Sequence, residues 1–354
     1  MNKLKLFSTL VFFTAIGGVS KAQFDFISPT DIDEIHKRTL IVVVEKPTDF
    51  VTQKLDKKKK QDKLDTYKAA VDAFNKNFAS VISQYWKVTA GDIEYKTLDD
   101  LNDINDKRNY AVIFCRSATQ PDLAAPYINV NGLMWWPDIA EELRDKDFST
   151  RMTVMGLALL DKFNKTPCYQ FPMPNLFPTK EDLIYAVNGM NNYINYHIDH
   201  RNVSPKKINE QMLEENQPTL KDKTLLIRRD WIDKRLTKAE IEKDYPFPYM
   251  IAGKDTVNNA IDSADSRYAI AIVAPYDWAT AATGGVQYVQ YVYNIENGAF
   301  LACSGLPEMP SNPKAPPATT ANSGKPLITK KSLLDFCLYI TDNAADDAKK
   351  KGHR

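Results

Sequence analysis

The sequence lacks the short motifs by which most classes of enzyme are recognised. It has four histidines and four cysteines among 354 residues, and no two cysteines form a Cys-x-x-Cys pair. Neither a phosphate-loop lysine nor the glycine spacing of a dinucleotide-binding loop is present. Few histidines leave few bases for a serine or cysteine triad, so the sequence disfavours acyl-transfer chemistry.

Beyond its first 22 residues, the sequence has no apolar run long enough to span a bilayer. Those first residues carry Lys3 and Lys5, an apolar run from Leu6 to Gly17, and a small residue at Ala22. This order is typical of a secretory signal peptide. The run is too short for a transmembrane helix, since a bilayer core of roughly 30 Å needs about 20 residues. We predict cleavage after Ala22 and a mature protein that is periplasmic or secreted, with no transmembrane segment.

The mature sequence also lacks a strong excess of charge of either sign. Without residues 1–22 it keeps 43 of the 46 basic residues, against 45 acidic ones. Nucleic-acid-binding proteins usually gather a basic excess on one face or helix. The only dense basic cluster is Lys57 to Lys60, which we interpret as a solvated helix start or loop. We therefore expect no nucleic-acid partner.

The few cysteines leave the question of disulfides open. An exported protein meets an oxidising compartment in which Cys115, Cys168, Cys303 and Cys337 could pair in three ways. Cys115 and Cys303 each follow or close an apparent strand, and we interpret both as small buried hydrophobic residues. The sequence does not decide the pairing.

An internal repeat is the most informative positive feature, since one α/β unit occurs at residues 36–134 and again at 220–305. Lys37–Val44 and Lys221–Ile227 both begin with charge and continue as apolar runs. Such runs are typical of strands covered on both faces, as at the centre of an α/β sheet. The repeat predicts two diverged copies of an α/β sandwich unit, with their first strands at the same position in each sheet.

Later matches between the copies follow in the same order. Tyr110 and Tyr268 each begin a Tyr-Ala-aliphatic entry into a strand. Tyr127–Gly132 matches Tyr293–Gly298, where Asn-Gly suits the positive φ angles of a tight hairpin. The first copy has about 27 more residues before its Tyr-Ala entry, and much of the excess is the charged stretch Gln53–Lys63.

Apolar residues at three- and four-residue steps predict several helices. The predicted helices are Asp65–Trp86, Leu98–Ile104, Thr153–Phe163, Thr179–Ile198, Ser204–Glu215, Thr237–Asp244 and Val257–Ile261. Thr179 is suited to cap its helix, and Glu181 and Asp182 suit the first turn, where the helix dipole favours negative charge. Two of these helices lie between the copies and predict a helical connector.

The sequence accordingly divides into six parts. They are a signal peptide (1–22), a first α/β domain (23–168), a Pro-rich boundary with a helical connector (169–217), a second α/β domain (218–305), a Pro-rich linker (306–329), and a C-terminal helix with its tail (330–354). Prolines interrupt helices and central strands at both boundaries. Leu333, Leu334, Cys337, Leu338 and Ile340 give the last helix an apolar face that must dock on a domain or on a partner.

His197 and His200 are the candidate metal ligands. At helical spacing their rings share a face and could hold zinc with a third ligand. The pair also falls where a helix should end, and a terminal cap that complements the helix dipole explains it without metal. Ser304 follows a strand but lacks the preceding glycine of a nucleophile elbow. We predict no catalytic and no cofactor-binding residue.

Three further segments are candidates for binding. Met134–Pro137 and Tyr245–Tyr249 are dense in aromatic residues and could line a groove for sugar or peptide, although packing against a sheet explains them more simply. Ala279–Gly285 could present backbone N–H groups to an anion, but its small residues are also typical of a flexible connection.

Export, duplication and an amphipathic C-terminal helix together favour a bacterial-type envelope or secreted protein. We expect a non-catalytic binding or scaffold component that acts through its duplicated domains on a protein or another envelope component. The alternative is an exported hydrolase, either metal-assisted through His197 and His200 or based on paired carboxylates, whose spacing a sequence does not reveal. No cofactor is expected in the first case.

Overall fold

The computed structural model describes residues 27–118, 152–163, 168–203, 205–276, 287–304 and 326–340. These residues form two mixed five-stranded sheets with helices packed on them, joined by a helical segment. This confirms the predicted α/β class with two units. Within these ranges, no helix combines the length and the apolar content needed to cross a membrane.

The first unit is built on a sheet with the strand order β2-β1-β3-β4-β5. Its elements are α1 (Pro29–Lys37), β1 (Thr39–Val44), α2 (Asp49–Lys57), α3 (Gln61–Tyr85), β2 (Ile93–Thr97), β3 (Tyr110–Ala118), β4 (Met152–Leu159) and β5 (Tyr169–Pro172). Strand β1 is parallel to β2 and β3, whereas β4 and β5 are antiparallel to their neighbours. The sheet continues past the predicted boundary at 168, because β5 is an edge strand, where Pro172 is tolerated.

The second unit repeats this arrangement with the strand order β7-β6-β8-β9-β10. The connector contributes α4 (Lys180–Asp199) and α5 (Pro205–Asn216), and the unit itself contains β6 (Thr224–Arg228), α6 (Lys238–Asp244), β7 (Tyr249–Ala252), α7 (Lys254–Asp262), β8 (Tyr268–Tyr276), β9 (Gln287–Asn294), β10 (Phe300–Ser304) and α8 (Lys330–Asp335). Strand β6 is parallel to β7 and β8, and β9 and β10 are antiparallel to their neighbours.

The two sheets agree in register as well as in strand order. Thr39 lies opposite Tyr110 in the first sheet, and Thr224 lies opposite Tyr268 in the second. The first strands of the two copies therefore occupy the same position, as the repeat predicts. The extra residues of the first copy form α2 and most of the longer α3. Lys57–Lys60 covers the end of α2 and the turn into α3, and its first three residues are exposed.

Two of the predicted helices are wrong, and one match between the copies falls outside the described residues. That match is Tyr127–Gly132 with Tyr293–Gly298; in the described structure, the strand that holds the sheet position of β9 is β4. Thr153–Phe163, predicted as a helix, forms most of β4 and a short 3₁₀ turn. All residues of β4 are buried, and a fully apolar run does not distinguish a buried strand from a buried helix. Leu98–Ile104 forms turns instead of a helix.

The predicted helix starts are confirmed at two threonines. The Thr179 side chain accepts a hydrogen bond from the Asp182 backbone N–H and Asp182 returns one, which completes a capping box. Thr237 and Glu240 form the same arrangement at the start of α6. Each box satisfies backbone donors that the first helical turn leaves without intrahelical partners.

Helix α4 is a core element shared by both units and more than a connector. It has twelve buried residues, and one continuous hydrophobic core contains residues from both sheets. Tyr185 of α4 packs edge-on against Phe171 of β5 and against Tyr293 of β9. Gly189 makes this possible, because a Cβ atom there would lie 2.4 Å from the Phe171 ring.

The β9–β10 hairpin also packs on α4. Gly298 has the predicted positive φ, at 70°, but Asn297 does not, so the turn is wider than a two-residue hairpin. A Cβ atom on Gly298 would lie 2.3 Å from the backbone carbonyl carbon of Asn188. Only glycine therefore meets both the conformation and the close approach.

The C-terminal segment, residues 326–340, docks on the second unit of its own chain. Ile328 pairs with Ile232, and Leu333, Phe336 and Ile340 are buried. Helix α8 contacts α6 and β10. The apolar face differs from the predicted one, since Leu334 and Leu338 are exposed by 48% and 52%.

Buried hydrogen bonds add to this docking. The Ser304 hydroxyl donates to Asp335 at 2.6 Å, and the Ser332 hydroxyl donates to the Gln290 side-chain oxygen at 3.2 Å. The Gln217 side-chain amide donates to the Asp335 backbone oxygen at 3.4 Å. Satisfied polar groups in a buried contact fix its geometry, because each would be costly to leave unpaired.

Candidate functional sites

The carboxyl edges of the two sheets are the candidate sites that the topology indicates. In each sheet, the first strand lies between the two strands that follow it in the chain. Strand β1 lies between β2 and β3, and β6 lies between β7 and β8, so the direction of winding reverses at β1 and at β6. Open α/β sheets bind ligands outside the carboxyl ends of the strands at such a reversal. Each unit therefore offers one such edge.

An acidic residue occupies the same position at both edges. The shared register equates Thr39 with Thr224, and Glu45 and Asp230 each follow these residues by six positions. The pattern was not recognised in the sequence, because it becomes visible only when the strand registers are aligned.

At the second edge, Asp230 organises Arg228. The Arg228 Nε donates to one Asp230 carboxylate oxygen at 2.8 Å, and Nη2 donates to the other. The Arg228 guanidinium also lies 3.8 Å from the centre of the Trp231 ring. The hydrogen bond from Arg228 lowers the pKa of Asp230, so the carboxylate stays charged at neutral pH.

In the described part of the chain, the third guanidinium nitrogen of Arg228 has no hydrogen-bond partner. The residue is only 8% exposed, yet Nη1 makes no hydrogen bond to the residues the structure describes and is not a buried atom. A guanidinium held by a carboxylate and an aromatic ring loses little freedom on binding. This arrangement can accept a carboxylate or carbonyl oxygen of a partner.

At the first edge, Glu45 is fixed through its backbone. The Asn75 side chain accepts from the Glu45 N–H at 2.8 Å and donates to the Glu45 carbonyl at 2.7 Å. Continuing the β1–β3 register by three residues places the fully buried Arg116 opposite Glu45. Beside Arg116, Ser117 donates to Thr153 at 2.6 Å and Thr153 donates to the Leu176 carbonyl at 2.6 Å, so both hydroxyl groups are satisfied within the chain.

The structure places the two candidate metal ligands in different surroundings. His197 is 5% exposed and packs on Tyr193, whereas His200 is the C-cap of α4 and stacks on Tyr196. Burial lowers the pKa of His197 to about 4, and the nearby His200 adds to the shift. In the part of the chain that the structure describes, no group of three potential ligands could hold a metal. Within the described residues, the structure therefore supplies no third ligand for a metal site at His197 and His200.

The other reactive side chains have structural surroundings. Ser304 is 2% exposed, and its hydroxyl donates to Asp335, which also accepts from Lys331 at 2.7 Å. The four cysteines are free. Burial raises the pKa of the Cys168 thiol to about 11 and that of Cys303 and Cys337 to about 12, and it also raises the pKa of Cys115. A thiol protonated at neutral pH is a poor nucleophile.

Of the three segments predicted as binding candidates, one contributes to the core and two lie outside the described residues. Tyr245 is fully buried and packs on Phe247, so the start of Tyr245–Tyr249 belongs to the core, while Met134–Pro137 and Ala279–Gly285 lie outside the described residues. A cleft between α4, α7, β8 and β9 has room for roughly one water molecule and not for an organic ligand.

Comparisons of the chain with protein-family models, with curated proteins and with solved structures give no match.

Proposed function

We propose that the protein is an exported, non-catalytic binding protein that uses its two α/β units to hold a protein or another component of the cell envelope. The observation that carries this proposal is the surroundings of the reactive side chains. Ser304 anchors the C-terminal segment, His197 is buried with no partner for Nε2 among the described residues, and burial raises the pKa of all four thiols. Side chains used in this way support a structural role and do not suit nucleophilic or acid–base chemistry.

The second edge supports a binding role. Arg228 is preorganised by Asp230 and Trp231 and keeps one donor group for a partner. The shared core around α4 fixes the two units to each other through buried aromatic contacts, so both carboxyl edges act from one folded body. Preorganised groups on a fixed frame reduce the entropy cost of association.

The test begins in the cells that make the protein. N-terminal sequencing of the mature chain should find Gln23 first, and fractionation should place it outside the cytoplasm without detergent. Cross-linking of the tagged full chain, followed by quantitative mass spectrometry, should then recover a specific envelope partner. Retention of residues 1–22 would contradict the export half of the proposal.

A matched pair of arginine variants sharpens the binding test. Arg267 forms the same two-residue pair with Asp265 as Arg228 forms with Asp230, but it lies at the amino end of β8 and is exposed. Arg228→Gln should reduce partner recovery, whereas Arg267→Gln should not. Stoichiometric metal in the purified protein, or hydrolysis of ester, glycoside or peptide substrates, would instead support the exported hydrolase.

A further inference from the structure

Strand β7 is the edge strand of the second sheet, and no described strand pairs with its outer side. The backbone N–H groups of Leu225 and Arg229 donate to the carbonyls of Pro248 and Ala252, both at 2.9 Å. In a parallel ladder, alternate residues face the neighbouring strand. The N–H and C=O groups of Tyr249 and Ile251 therefore point away from the sheet, and no hydrogen bond to them occurs in the described structure.

The equivalent edge of the first sheet carries charge, whereas β7 does not. Ile93 and Tyr95 of β2 occupy the register positions of Tyr249 and Ile251. Glu94 lies between these two residues and Lys96 follows them, and the two charged side chains form an ion pair at 3.2 Å. Charged side chains on an edge strand discourage pairing with another chain.

The uncharged strand β7 is Tyr-Met-Ile-Ala, and its first three residues are partly exposed. Tyr249, Met250 and Ile251 pack their inner parts on the core and leave their outer parts in water. They offer apolar contact on both faces of the sheet, because successive side chains of a strand point to opposite faces. The edge thus combines apolar side chains with backbone groups that no described residue pairs.

The length of β7 identifies the kind of occupant. Four residues extend about 13 Å at 3.3 Å per residue, and only two of them, Tyr249 and Ile251, turn their backbone groups outward. Pairing with a second copy through this edge alone would bury far less than the roughly 1,200 Å² of a stable interface. A short extended peptide gains most of its affinity from backbone hydrogen bonds and fits the same edge.

We propose that β7 binds an extended, uncharged segment of a partner protein, which adds to the second sheet as a sixth strand. The segment has apolar side chains and no proline where its backbone meets Tyr249 and Ile251. This inference rests on the proposed binding function and names the site and the partner chemistry.

The experiment uses the full mature chain and a phage-displayed library of random twelve-residue peptides. Enriched peptides should be apolar and free of proline in a central stretch. Their binding should protect the Tyr249 and Ile251 amides from hydrogen–deuterium exchange. Failure to enrich any peptide, or protection elsewhere without protection of these two amides, would overturn the proposal.

Ile251→Pro provides the decisive variant, because it removes an N–H that donates to no described residue and places a ring on the outer edge. It should weaken the selected peptides at least tenfold. The register-matched control Tyr95→Pro, on β2, should leave their affinity unchanged. Met250→Glu, which copies the charge of Glu94, should weaken binding in the same direction with the backbone intact, so the test survives misfolding of the proline variant.

Light scattering tests the remaining explanation, in which a second copy of the chain occupies the β7 edge. A wild-type dimer that Ile251→Pro converts to a monomer would show that a second copy occupies the edge and would overturn the peptide assignment. In the cellular cross-linking experiment, a partner that is recovered equally well with Ile251→Pro would overturn the β7 site alone. The proposed binding function would stand in that case.

Discussion

Docking of the C-terminal segment makes the sharpest stability prediction. Phe336 is fully buried in the contact between this segment and the second unit. Phe336→Ala removes a ring that the surrounding core cannot fully replace, and such changes cost about 3–5 kcal/mol. The free energy of unfolding should therefore fall by about that amount, measured by urea denaturation with circular dichroism and tryptophan fluorescence. The two signals should coincide, because one core includes both sheets.

The matched control is Leu334→Ala in the same helix. Leu334 is 48% exposed, so its truncation should change the free energy of unfolding by no more than about 1 kcal/mol. Deleting residues 306–354 removes all the contacts of the segment and should lower the melting temperature further. Equal effects of the two alanine variants, or a deletion that leaves the melting temperature unchanged, would refute docking on the chain's own second unit.

Three further predictions test individual residues. Gly298→Ala should destabilise the protein by more than about 1 kcal/mol, because φ is 70° and the added Cβ would lie 2.3 Å from the Asn188 carbonyl carbon, whereas Gly253→Ala, with nothing within 4 Å, should cost little in thermal unfolding. Burial lowers the pKa of His197 to about 4, below its unfolded value near 6.5, so its stabilising contribution is complete above pH 6.5 and falls as the pH approaches 4. Between pH 7.5 and 5, His197 should lower the free energy of unfolding by about 2 kcal/mol, measured by urea denaturation, and His197→Gln should remove this decrease. A free energy of unfolding that stays constant over this range in the wild type would mean that the imidazole is hydrated in the native state. His197→Ala combined with His200→Ala should leave the zinc content of the purified protein unchanged by elemental analysis, and loss of stoichiometric zinc would revive the metal site.

Local signals in the sequence predicted many of the elements. The apolar runs after Lys37 and Lys221 predicted the central strands, because a strand covered on both faces needs an apolar residue at every position. Thr179 and Thr237 predicted two helix starts, because capping depends on residues only three positions apart. The apolar pattern of Thr153–Phe163 wrongly predicted a helix, since complete burial removes the periodicity that separates strands from helices.

The candidate sites depended more on structure. The sequence identified His197 and His200 by residue type, yet the burial of one and the partial burial of the other follow from the packing of α4. The Arg228–Asp230–Trp231 cluster has no signal in the sequence, because three common residues within four positions form no motif. Its position at the carboxyl end of β6 gives it meaning only once the strand order is known.

By itself, the sequence determined that this protein has two related α/β units, with helices between them and an amphipathic C-terminal segment, because those features follow from local periodicity and capping. Only the tertiary structure decided that α4 fuses the units into one core, that the C-terminal segment belongs to the second unit, and that β7 is an edge strand. These outcomes depend on which surfaces meet across long stretches of chain. A surface's partner is set by the summed burial and hydrogen bonding of distant residues, which no short window of sequence contains.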